Sequence, residues 1–167
     1  MFELKRLSKE GVPAALRRAT HYRLLNDPWA AESICRDVLE LEPGNQEALV
    51  TMLLALTDQF GSESGVDVAA ARSLLPRLTS EYQRHYYEGL VSERWAKRLL
   101  ARSVPGSGPM IYDWLRQAME CYEEAEPLRP PGDDDAILRW NTCARLIERH
   151  DHLRPAPEGE RAAIQLE

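Results

Sequence analysis

Two stretches of this chain carry matching residues at matching offsets. In AESICRDVLELEP, Ala31, Cys35, Val38 and Pro43 stand at positions 0, 4, 7 and 12; in AMECYEEAEPLRP, Ala118, Tyr122, Ala125 and Pro130 stand at the same four. Offsets 0, 4 and 7 share one face of an α-helix. A small residue at the first lets a partner helix come close, and a proline beyond the last turn stops the helix. The chain is therefore read as paired helices, and the test for internal repeats comes before any other motif.

Punctuation along the sequence predicts helices throughout, and no segment alternates as a strand would. Asp27 and Pro28 form a start signal, with a carboxylate for the orphan amides and a proline where a missing N–H is harmless. That helix runs to about Glu42 and is ended by Pro43-Gly44-Asn45, which caps a next helix reaching towards Gly61. After a loop at 61–65, Asp67 caps a helix expected to run to Leu78, kinked or ended by Pro76. A long charged helix over Ser80–Arg102 is broken by the run Ser103–Pro109. A helix from about Met110 to Glu126 follows, then a turn to Gly132. A final helix to about His150 is capped by Asp133-Asp134-Asp135. The tail, 151–167, is expected to be extended or loosely docked.

The length of 167 residues suits one domain, drawn at 1–150 with the tail separate. A net charge of −6 carries too few uncompensated cations for a nucleic-acid backbone. The charge is uneven: residues 1–23 hold six basic and two acidic side chains, whereas 24–64 hold eight acidic and one basic. Cys35, Cys121 and Cys143 match no paired spacing and read as reduced thiols. With no signal-like start and no window resembling a membrane span, the expected location is the cytoplasm, without a membrane partner.

The offsets resemble those of the tetratricopeptide repeat family, whose 34-residue units pair a first helix reading W-x2-L-G-x2-Y with a second reading A-x3-F…P. Trp140, Cys143, Ala144 and Ile147 match the first-helix pattern in type and spacing. Leu49, Met52, Leu53 and Leu56 keep the spacing but lose the small residue. Ala15, Ala19 and Tyr22 keep it too, with Arg18 out of place. The two second helices start 87 residues apart, about 19 more than two regular units require. The excess falls in the loop around 61–66 and in the long Ser80–Arg102 helix with the loop after it, where Gly89 is the candidate small residue. The fold expected is all-α: a right-handed stack of antiparallel helix pairs, about seven helices, three units and a C-terminal helix.

The resemblance implies a protein-interaction module that holds a peptide, tail or helix of a partner in a concave groove lined by the first helices. Transferring the register places Leu16 and Thr20, Val50 and Leu54, and Asn141 and Arg145 towards that groove. The family's carboxylate clamp uses Lys, Arg and Asn at such places, and Leu16, Thr20 and Thr51 replace most of it, which argues against a C-terminal carboxylate as ligand. The competing reading is a homo-oligomeric assembly protein in which an uncapped end of the stack packs on a second copy.

Other chemistry is sparse. His150-Asp151-His152 is the one cluster with metal-ligand character, but it lies at a helix end without a third partner at helical spacing and reads as solvated. Cys121 and Cys143 fall on core positions, where thiols are inert. His21 and His85 stand alone, and Glu120, Glu123, Glu124 and Glu126 read as a solvent face. Phosphate-binding, dinucleotide-binding and zinc-protease motifs are missing, so neither an enzyme nor a cofactor is expected. Among the tryptophans, Trp140 is expected to pack and Trp29 to be partly exposed.

Overall fold

A computed structural model describes residues 2–62 and 65–157. The described residues form seven α-helices and three short 3-10 turns, with no strand among them. The helices are α1 (Val12–Leu24), α2 (Pro28–Leu41), α3 (Gln46–Asp58), α4 (Val68–Arg72), α5 (Glu81–Arg102), α6 (Gly108–Ala125) and α7 (Asp135–Arg149). They group into two compact units, one within Met1–Ser80 and one within Glu81–Glu167. No composition change at Ser80 marks this division.

The first unit is α1 to α4. Asn26, with φ of 59°, turns the chain after α1, a left-handed conformation that asparagine tolerates better than most residues. The next three helices start on their own side chains. Asp27 accepts from the Ala30 amide at 3.2 Å, Asn45 from Ala48 at 2.9 Å and Asp67 from Ala70 at 2.9 Å. α1 packs against α2 and α3, and α2 also packs against α3. At one centre of this packing are Ala19, Ala31, Cys35 and Ala55, all fully buried, with Tyr22, Ile34 and Met52 around them. Side chains this small let the helix backbones approach closely.

The expected helix from Asp67 to Leu78 is shorter. α4 ends at Arg72, and Pro76 lies inside a 3-10 turn, Leu75–Arg77, because it cannot donate to the α ladder. That turn is held by the start of α3. Gln46 Oε1 accepts from the Thr79 amide at 2.9 Å, and Arg77 donates to the Pro43 carbonyl at 2.8 Å.

The second unit is α5 to α7, with α6 packed against both others. Its core holds Ala96, Ile111, Leu115, Ala118, Met119, Tyr122, Ala125, Ala136, Cys143 and Leu153, with Trp140 and Ile147 packed against it. Gly89 of α5 is required there. A Cβ at this position would stand 2.7 Å from the Tyr122 ring and 3.1 Å from the Ala118 carbonyl. α6 stops at Ala125 and passes into a 3-10 turn, Glu126–Leu128, that contains Pro127. Pro127, not Pro130, therefore ends the α ladder. At the start of α7, Asp133 accepts from the Asp135 amide at 3.0 Å, while Asp134 at the cap position makes no side-chain bond to an amide. The segment after α7 is docked at its beginning: Leu153 is 2% exposed. Gly108 makes room for it, since a Cβ there would lie 2.2 Å from the His152 carbonyl oxygen. Residues 158–167 of the expected tail lie outside the described residues.

Candidate functional site

The most constrained polar group in the second unit is Glu93, fully buried on α5. One of its oxygens accepts from the Tyr122 hydroxyl of α6 at 2.7 Å. The other accepts from Arg139 of α7 at 3.2 Å and from Lys97, one turn along α5. One carboxylate thus ties all three helices of the unit together. Tyr86 packs its ring on Tyr122 with centroids 5.8 Å apart and is also stacked on Tyr82 at 5.7 Å. Burial pushes the Tyr122 hydroxyl well above the ordinary tyrosine range, and the neighbouring Glu93 pushes it further. The arrangement is a buried, hydrogen-bonded ion pair whose cations keep one edge in water: the Lys97 and Arg139 side chains are 41% and 35% exposed. It ties the three helices of the unit together.

The first unit carries a simpler counterpart. Glu32 of α2 is buried, accepts from Gln59 beyond α3 at 2.6 Å and from Arg36 on its own helix at 3.0 Å. Neither glutamate stands out in the sequence: Glu93 is followed by Arg94, Lys97 and Arg98, and Glu32 is one polar residue in an amphipathic helix. A signal was present: Glu93 is four residues after Gly89, and therefore on the helix face that meets α6.

The six residues assigned to a groove fall into different environments. Leu16 is 3% exposed and shares the inward face of α1 with Val12 and Ala19. It is a core residue, with no surface to offer a ligand. Thr20 is exposed on α1, and Val50 and Leu54 are half-buried on α3. In the second unit, Asn141 is half-buried and Arg145 exposed, one turn apart on α7. Among the described residues Arg145 makes no ion pair; it is Arg129 that meets the acidic start of α7, with Asp134 at 3.4 Å. Leu138, 60% exposed, lies one turn before Asn141 and continues the same outer face.

The acidic run of α6 and the turn that follows it is held locally. Glu123 accepts from the Trp140 indole at 2.7 Å, and Glu124 meets His85 at 2.8 Å. Glu126 and Glu120 face Arg129 and Arg116 at 3.8 and 3.9 Å. Trp29 is 69% exposed and His21 is on the surface. The rings of His150 and His152 meet edge to face at 5.6 Å, while the Asp151 side chain is 99% exposed. Among the described residues no three His, Cys, Asp or Glu side chains converge on a possible metal position.

Cys35 and Cys143 are fully buried, whereas Cys121 is half-buried rather than in the core. Burial raises the Cys35 and Cys143 thiols to about 12, and the neighbouring Glu32 and Glu93 also push upward. Thiols so held are protonated and poorly nucleophilic at neutral pH. No helix among the described residues is long and apolar enough to cross a membrane. Comparison of the chain with protein-family models, with curated proteins and with solved structures gives no match.

Proposed function

We propose that this chain is a divergent tetratricopeptide-like module that binds a peptide, tail or helix of a partner protein, with the outer face of α7 as its contact surface. Two packing features support the kinship. Ala19 of α1 is buried in one cluster with Ala31 and Cys35 of α2, and Gly89 of α5 lies against Ala118 and Tyr122 of α6. In both cases a small residue of a first helix meets the alanine that opens the A-x3 motif of a second helix, as the family pattern requires. A right-handed stack built from such pairs is the architecture this reading entails, and its location is the cytoplasm.

The observation that carries the function is the pair Asn141 and Arg145. Both project from α7 one turn apart, and neither makes a side-chain hydrogen bond or ion pair among the described residues. A guanidinium offers a planar fork of donors to a carboxylate or to peptide carbonyls, and an amide donates and accepts along an extended backbone. Leu138 adds an apolar contact beside them.

The test is charge reversal. Arg145→Glu should weaken capture of the partner recovered from the native cell extract at least about tenfold, roughly 1.4 kcal/mol, with helicity and melting temperature unchanged. Lost stability with capture intact would make Arg145 a structural residue and remove α7 as the surface.

A further inference from the structure

The outer face of α1 has a composition that the α7 site does not account for. Arg17 and Arg18, His21, and then Leu24 and Leu25 follow one another at three- and four-residue spacing, so they share one side of the helix. All are exposed, as is Trp29 in the first turn of α2, four residues after Leu25. Leu24, Leu25 and Trp29 are 81%, 62% and 69% exposed within six residues of one another. They present a few hundred Å² of apolar surface, the scale at which an exposed patch marks an interaction site. α1 contains no acidic residue. Arg23 is paired with Asp58 at 2.8 Å, but Arg17 and Arg18 have no acidic partner among the described residues. Two uncompensated arginines in a chain of net charge −6 thus sit about 10 Å along the helix from an apolar knuckle.

We infer that this face docks an acidic amphipathic helix of a partner protein, with carboxylates against Arg17 and Arg18 and apolar side chains against Leu24, Leu25 and Trp29. Charge complementarity selects this occupant. A second copy pairing this face with itself about a two-fold axis would set arginine on arginine if the helices ran parallel, or arginine on leucine if antiparallel. An anionic lipid surface fits less well. A flat anionic surface would meet Asp27, exposed between Leu25 and Trp29, together with the arginines, whereas a helix can set its carboxylates on Arg17 and Arg18 and its apolar side chains at the turn. The inference rests on the reading of the chain as a protein-binding module but not on the α7 face.

The test uses the full chain and a fluorescein-labelled synthetic 16-residue helix with glutamates on one half and leucines on the other. Its lysine-for-glutamate counterpart is the charge control, and vesicles of phosphatidylcholine with about one third phosphatidylserine are the lipid control. Expected is saturable binding of the acidic peptide that weakens as salt is raised. It should fall at least tenfold in Arg17→Glu/Arg18→Glu and in Trp29→Ala, each checked for an unchanged melting temperature. It should be unaffected by Arg145→Glu. No saturable binding, equal binding of the lysine peptide, tighter association with the vesicles, or insensitivity to the α1 variants would overturn the inference. The two surfaces fail separately. Arg145→Glu reports on capture of the native partner through α7, and the α1 variants report on the peptide.

Discussion

At the scale of single residues, three sites carry sharp expectations: Gly89, Glu93 and the buried thiols Cys35 and Cys143. Gly89 is where α5 meets α6 closely enough to exclude a methyl group. Gly89→Ala should therefore cost about 1–3 kcal/mol, because Tyr122 and the Ala118 carbonyl must both move. Gly44→Ala, with nothing within 4 Å of the added carbon, should stay within about 1 kcal/mol of the parent. Equal melting temperatures for the two variants would contradict the close contact. Glu93 is the second position. Glu93→Ala leaves Tyr122, Lys97 and Arg139 without their acceptor, and a destabilisation of about 2–3 kcal/mol is expected in urea unfolding. This is below the usual cost of breaking a buried pair because both cations keep part of their hydration. The third is Cys143, together with Cys35. In the folded protein Cys121 should react with a thiol reagent at pH 8 long before the other two, which should label only on unfolding. Their raised thiols also set a sign. The unfolded chain loses these protons near pH 9 and the folded chain keeps them to about 12, so stability falls as pH rises through that window. A flat stability profile from pH 9 to 11 would count against burial of both thiols.

At the scale of elements, the helices were legible because their ends are marked by chemistry that acts locally. Asp27, Asn45 and Asp67 each cap the helix that follows, as a reading of residue types alone predicts. Asn45→Ala should cost about 1 kcal/mol. Asp134→Ala, at a cap position whose side chain accepts from no amide, should cost less than about 0.5 kcal/mol beyond its exposed pair with Arg129. Thermal unfolding of both variants checks the contrast. What was not legible depends on contacts between elements. The sequence shows that Pro76 must break a helix but not that Gln46 and Arg77 would fasten the resulting turn to α3. Leu16 was assigned to a groove from register alone, yet its spacing from Val12 and Ala19 puts it on the buried stripe of α1. A transferred register names positions on a helix and leaves open which way that helix faces. The helix's own apolar pattern answers that more reliably.

At the scale of the whole molecule, the chain consists of two helical units, each with a small-residue helix contact and a buried glutamate tied to its neighbours. The buried carboxylates inside the units hold helices together, and the two faces proposed for recognition are on their surfaces: the α7 face with Asn141 and Arg145, and the α1 face with its arginines and its apolar turn. Hydrogen exchange of the full chain, with and without the partner captured from its native extract, tests this most directly. Exchange should slow along α7, centred on residues 138–145, and this protection should be lost in Arg145→Glu while the amides around Glu93 keep theirs. A captured partner that leaves α7 exchange unchanged, or one that proves to be a second copy of this chain, would contradict it.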